Sequence, residues 1–357
     1  MRTLRALVGA AVVIAAAVAV NGVNAAQPAA LLYVCVQDDA KIAVVDMAKA
    51  AVVKTIDLVA LGFPNTAKPH FIVVEPDGAH WYVSLIGANR VAKFDRDDKL
   101  VGHFEMETPG MLAFAGADRL VVSRSMSAVN PPKRVAVLDR VKMTGEEIDI
   151  LFPRPHPVAV ADGYAYTASL GVNQLAAISL TDDKVSIVDV AGPTHSFVQF
   201  AVSPDKKTLV SSTEVSGQLL VFDLTTPAKP ALKASIELGK MVFDPVFTND
   251  GRFVWVPVKM SNEIAVIDTT TWRVAARLTD PAFKQPHQIV FSADGRSAFV
   301  TNNNKMDHMA DPAHAGHAMP AADTGLAPLV VIDVATRKVT RALPLGKNLT
   351  GMGTQAR

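Results

Sequence analysis

The chain has one cysteine in 357 residues, Cys35. A single thiol makes no intrachain disulfide, so an exported fold of this size must stand on its core. Cys35 lies inside Leu-Leu-Tyr-Val-Cys-Val, where it reads as a small buried strand residue and not as a nucleophile or ligand. No Cys-x-x-Cys-His is present, which excludes covalently attached c-type haem. No Gly-x-Ser-x-Gly is present either, so the nucleophile elbow of the α/β-hydrolases is absent. Net charge is small, with 35 Lys and Arg against 34 Asp and Glu, and a chain so balanced has no field to gather nucleic acid or an anionic membrane. Helical periodicity is missing from every segment after the first 25 residues.

Long apolar runs are also scarce, and the one that exists is informative. Met-Arg-Thr-Leu-Arg leads into an apolar stretch from Ala6 to Val20 and then small residues at Val23, Asn24 and Ala25. That is the anatomy of a cleaved secretory signal over residues 1–25, and it is short for a membrane span. The expected mature chain, 26–357, is periplasmic or secreted, free of the membrane after cleavage. Losing Arg2 and Arg5 leaves 33 basic residues against 34 acidic ones, a net charge near −1.

What the sequence does contain is a repeat. An apolar residue followed by Asp recurs at Val45-Asp46, Phe94-Asp95, Leu138-Asp139, Phe222-Asp223, Ile267-Asp268 and Ile332-Asp333, with Ile178-Ser179 in the same slot. The steps stay near 44 residues until the last, which is 65. A second landmark is a hairpin turn at Asp77-Gly78, Asp118, Asp162-Gly163, Asp205, Asp250-Gly251 and Asp294-Gly295. Short Val- and Ile-rich runs lie between. Four short strands per unit of 40 to 45 residues predict an all-β fold, a seven-bladed β-propeller with four antiparallel strands per blade. The first unit starts at its second strand, Leu31 to Val36, and Asn348 to Gly353 supplies the missing inner strand. The C-terminal segment is therefore expected to close the ring and leave no free edge.

Ala298-Phe299-Val300-Thr301-Asn302, Ile264 to Thr269 and Phe291-Ser292-Ala293-Asp294-Gly295 resemble the YVTN-type repeat of seven-bladed bacterial propellers. The likeness runs through the whole mature chain and implies one propeller domain over 26–357. It implies little about function, because that scaffold hosts surface proteins, lactonases, haem-binding domains and metal-binding proteins.

Counting strand reversals places the connections between blades and the loops after each second strand on one face of the disc. Pro-His precedes an inner strand at Pro69-His70, Pro155-His156 and Pro286-His287, with a looser Pro193-Thr194-His195. Inner strands line the axial channel, so His70, His156, His195 and His287 are expected to converge on its mouth as candidate metal ligands. The same count sets Met111 in this position in blade three and Asp244 beside it in blade six. The alternative is that each His caps its own strand. His80 and His103 read as structural, and Trp81, Trp255 and Trp272 as blade-packing residues.

The long step in the repeat is an insertion, 304–327, after the second strand of blade seven. It carries Met306, Asp307, His308, Met309, Asp311, His314, His317 and Met319 among Ala, Gly and Pro that build no core. Thioethers suit monovalent copper, while imidazoles serve copper, zinc and nickel. Met306, His308, Met309, His314, His317 and Met319 are thus candidate ligands beside the four histidines. Met111, Met126, Met241, Met260 and Met352 map to the same face.

The preferred expectation is a periplasmic copper-binding or copper-delivering propeller that acts as a binder more than an enzyme and passes its ion to a metal-receiving protein or transporter. Two propellers similar in shape support it by resemblance: nitrous oxide reductase, where a ring of His holds a copper cluster, and a periplasmic zinc chaperone. Zinc is accordingly an alternative cofactor. Haem is another, by resemblance to d-type haem proteins, with His70, His156 or His287 axial and Lys68, Arg154 and Lys284 near the haem carboxylates. A plain recognition scaffold is the remaining alternative.

Overall fold

The computed structural model describes residues 30–124, 130–305 and 325–355. The expected signal segment, and the stretch of the insertion from Met306 to Met319, lie outside them. The described chain forms seven separate four-stranded antiparallel sheets arranged as a seven-bladed propeller. The ring closes as the sequence requires: Leu349–Thr354 pairs with Leu31–Val36 and becomes the inner strand of blade one, followed outward by Lys41–Asp46 and Ala51–Asp57. Gly351 makes this closure possible, since a Cβ there would lie 2.3 Å from the carbonyl oxygen of His70 on blade two. Among the described residues no helix is long and apolar enough to cross a membrane.

Alternation explains why these runs become blades. Each middle strand is buried on both sides, as in Lys41–Asp46 and Glu263–Asp268, because its two faces pack on the two neighbouring blades. Outer strands such as Ala51–Asp57 are largely exposed. Trp81 illustrates the packing: it stacks on Phe94 of its own blade at 4.1 Å between ring centres and on Tyr33 of blade one at 4.7 Å. Trp255 likewise meets Phe291 of blade seven edge to face at 5.4 Å. Cys35 is fully buried, and burial pushes its thiol pKa well up, so it is inert as a nucleophile.

The recurrent Asp residues are turn caps. Oδ1 of Asp268 accepts the backbone N–H groups of Thr270 and Thr271, both at 2.9 Å, and Oδ1 of Asp139 accepts those of Val141 and Lys142. Those hydrogen bonds hold both carboxyls below the usual range. They are committed to structure and not to acid-base chemistry.

Inner strands begin in a way that places side chains at the channel mouth. In all seven blades a non-glycine residue with positive φ precedes the strand: Lys68, Thr108, Arg154, Ser196, Met241, Gln285 and Asn348, with φ between 43° and 59°. In six blades the pairing of inner and second strands then shifts register, across Pro69/Phe71, Pro109/Leu112, Pro155/Val158, Phe197/Phe200, Pro286/Ile289 and Val34/Val36. The extra residue is a bulge, a device that re-aims a side chain at the end of a ladder. Its amide is captured by a hydroxyl from the second strand in four blades: Ser84 for Phe71, Ser123 for Met111, Ser212 for Gln199 and Thr301 for Gln288. Blade four has Pro157 there, with no N–H to satisfy, and Ala168 opposite it.

Candidate metal centre at the channel mouth

Two positions after the positive-φ residue stand His70, Gly110, His156, Val198, Phe243, His287 and Thr350, which is the ring of positions facing the mouth. Three of the four histidines singled out from sequence occupy it. His70 meets His156 edge to face with ring centres 6.3 Å apart and meets His287 at 6.5 Å. Blades two and four are not neighbours, nor are blades two and seven. Contact between their side chains therefore requires all three rings to project from the wall into the channel.

The outer nitrogens of two rings are fixed. His156 Nδ1 donates to the carbonyl oxygen of Val198 at 2.6 Å, and His70 Nδ1 lies 3.0 Å from Oε1 of Gln37, an acceptor. Each ring therefore carries its proton on Nδ1 and keeps a lone pair on Nε2. Nε2 of His70 is buried and has no hydrogen-bond partner among the described residues. Burial lowers the pKa of His70 to about 3, helped by the charges of His156 and Lys259, and lowers that of His156 to about 4 against the pull of the Val198 carbonyl. Both are neutral at pH 7, the form in which imidazole binds metals.

Blade six completes the mouth. Asp244, one residue beyond the ring position of Phe243, is 2 % exposed, and neither of its carboxylate oxygens accepts a hydrogen bond among the described residues. Its Oδ2 lies 3.9 Å from Nδ1 of His287, and its amide donates to the His287 carbonyl oxygen at 3.3 Å. Burial raises its pKa to about 7, opposed by Lys259. Lys259 is itself buried, with Nζ 3.3 Å from the centre of the Phe243 ring, whose other neighbour is His287 at 5.2 Å. Desolvation lowers its pKa to about 7 while Glu214 and Asp244 pull it up.

His195 is held elsewhere. It is 1 % exposed, its Nε2 donates to the Ala191 carbonyl at 3.0 Å, its Nδ1 is 3.0 Å from Ser216 Oγ, and its ring packs on Phe197 at 5.5 Å. Both nitrogens are engaged in tying the connection between blades four and five to the loop after Glu214. The ring position in blade five belongs to Val198, and that of blade three to Gly110 instead of Met111. Seven residues before the hairpin Asp, the spacing of His70 and His287, the alignment finds Val198 in blade five, with His195 three residues short of it, but in blade three it falls one residue late, on Met111; the positive-φ residue before Pro69, Pro109, Pro155 and Pro286 marks the register in each case. Met111 and Met352 are buried in blade-packing clusters. Of the sequence candidates, Met306, His308, Met309, His314, His317 and Met319 lie outside the described residues.

The donor set fits a borderline divalent ion: neutral imidazoles, one buried carboxylate and an orphaned buried Nε2. Two imidazoles on one tetrahedral ion have ring centres about 5 Å apart, so the present spacing is wider by about 1 Å. Consistently, among the described residues no three His, Cys, Asp or Glu side chains already stand close enough to hold one ion. The imidazoles of His156 and His287 each meet the ring of His70 at the mouth. Gln37 and Lys259 escape a sequence reading that weighs only ligand types. Both open a short 3-10 turn directly after a second strand, Gln37–Asp39 and Lys259–Ser261, and both turns end on a left-handed residue, Ala40 and Asn262.

No protein-family profile matches the chain, and no curated protein matches it by sequence. Solved structures do. The dihydro-heme d1 dehydrogenase NirN in complex with DHE is similar at 18% identity and a TM-score of 0.60, over 91% of this chain and 75% of that one. Apo AztD from Citrobacter koseri is similar at 12% identity and a TM-score of 0.61, over 91% and 97%. A functionally unknown protein from Desulfotomaculum acetoxidans DSM 771 matches at 12% identity and a TM-score of 0.68, over 90% and 98%. At these identities the likeness is one of fold, the seven-bladed propeller; the finer assignment to the YVTN-type repeat finds no matching profile.

Proposed function

We propose that this chain is a periplasmic metal-binding propeller that holds one divalent transition-metal ion, zinc in first place, at the channel mouth and passes it to another protein. His70, His156 and His287 would supply the imidazoles, and Asp244 the compensating carboxylate. The observation that carries the reading is the buried His70, whose Nε2 has no partner among the described residues and whose ring meets two further histidines on non-adjacent blades. A buried acceptor without a partner costs about 1–3 kcal/mol, and an ion would relieve it.

The donor set favours zinc or divalent copper over the monovalent copper that the methionine count suggested, since Met111 and Met352 pack between blades. The Met- and His-rich insertion leaves at Lys305 and returns at Gly325, on the mouth face: Nζ of Lys305 is 2.9 Å from Asp38 Oδ2, next to the Gln37 that bonds His70. Its role in this reading is to collect ions for the channel site. Haem is disfavoured, because a flat macrocycle needs an open slab above its axial imidazole, and here two further imidazoles stand within 6.5 Å of His70.

Equilibrium dialysis of the mature protein against zinc, with cupric ion and haem in parallel, tests the reading. One tightly held zinc per channel site, lost when His70, His156 and His287 are replaced together, is the expected outcome. A Soret band on haem addition with no metal uptake would point to the haem-binding class instead.

A further inference from the structure

We infer that Gln37 is the positioning residue of this site: it selects the tautomer of His70 and so decides which nitrogen of that ring is offered to the channel. The inference rests on the metal-binding reading for its functional meaning, though its structural half stands alone. An imidazole has two nitrogens, and a neutral ring in a pocket without polar contacts can carry its proton on either. Gln37 Oε1, 3.0 Å from Nδ1, is the acceptor that draws the proton there and leaves Nε2 bare. His156 obtains the same result from the main-chain carbonyl of Val198. At His70 the acceptor is a side chain, contributed by a different blade and far away in sequence.

Gln37 is itself held in place by the closure of the ring. Its backbone N–H donates to the carbonyl oxygen of Asn348 at 3.0 Å, and Asn348 Nδ2 donates to Oδ1 of the adjoining Asp38 at 3.1 Å. From the other side, Asn303 Nδ2 donates to Asn348 Oδ1 at 3.0 Å and to the Leu349 carbonyl at 2.8 Å. The seam where the C-terminal strand joins blade one thus anchors the backbone of the residue whose side chain reaches a histidine of blade two. Outer partners of this kind orient a ligand and raise its basicity, and losing one typically costs about 10- to 100-fold in metal affinity.

The test uses Gln37→Leu, which removes the acceptor, and Gln37→Glu, which keeps one. Long-range proton–nitrogen NMR of the metal-free wild type should show His70 protonated on Nδ1, and in Gln37→Leu that tautomer should lose its dominance. Zinc affinity should fall about tenfold or more in Gln37→Leu and return to at least the wild-type value in Gln37→Glu. Wild-type His70 protonated on Nε2, or a folded Gln37→Leu with unchanged tautomer or unchanged zinc affinity, would overturn the inference. Should the wild type take up no zinc at all, the proposed function fails, while the wild-type tautomer still decides the role of Gln37.

Discussion

His70 and His156 stand two blades apart and yet touch, ring edge to ring face, at 6.3 Å between centres. Only side chains that leave the wall of a propeller and enter its channel can do so. The bulges at the start of their inner strands send them there, and the left-handed residue before each sets the turn.

Single substitutions should separate the three channel histidines from His195. His70→Ala, His156→Ala and His287→Ala are each expected to lower zinc affinity at least tenfold in a chelator-competition titration, because each removes one imidazole of a small set. His195→Ala should leave affinity unchanged. It should instead lower stability by about 1–3 kcal/mol in urea unfolding, since a buried ring is lost together with its part-buried hydrogen bonds to Ser216 and the Ala191 carbonyl.

The pH dependence of stability follows from the depressed imidazoles. In the unfolded chain each His takes up a proton near pH 6.5, whereas the folded His70 and His156 resist until about 3 and 4. Between those limits the unfolded state binds more protons, so stability is present in full above about pH 6.5 and declines as pH falls. Asp244 has the opposite sign, its raised pKa weakening the fold as pH rises from 3.8 towards 7. Urea midpoints of the metal-free protein between pH 6.5 and 4 should therefore fall less steeply in His70→Gln and His156→Gln. An unchanged slope would contradict the buried neutral state assigned to them.

Asp244 and Lys259 should move affinity in opposite directions. Asp244→Asn removes the buried carboxylate that lies 3.9 Å from His287 and should weaken zinc binding. Lys259→Met removes a buried cation whose charge acts on both His70 and Asp244, and should strengthen it. Isothermal titration at two salt concentrations checks both, and the shifts should vary little with salt because the groups are buried.

The bulge hydroxyls give a test of the scaffold that does not involve metal. Ser84→Ala, Ser123→Ala and Ser212→Ala each strand a buried amide and should cost about 1–3 kcal/mol in unfolding experiments. Ala168→Ser should bring no such gain, because Pro157 across from it has no N–H to satisfy.

The propeller was legible because its signals are local and repeated. Asp46, Asp139 and Asp268 cap turns by contacts two or three residues away, and Asp-Gly pairs mark hairpins wherever they fall. Ring closure was legible because Leu31 to Val36 lacks an inner partner and Leu349–Thr354 lacks an outer one. His70, His156 and His287 were readable from the Pro-His pair. The fate of His195 was not, because a longer connection moved it out of step and its two hydrogen bonds come from residues that only the fold brings near. Asp244 was visible as the one acid near the mouth. Gln37 and Lys259 were hidden for a different reason: neither is recognisable as part of a site until the ring places its loop beside blades that are distant in sequence.

The most direct test of the account counts zinc on a chain from which residues 306–324 have been deleted. Elemental analysis after gel filtration should find one zinc per folded chain, and none when His70, His156 and His287 are also replaced by Ala. A folded deletion protein that retains no zinc, or one that retains it after the triple replacement, would contradict the assignment of the site to the channel mouth.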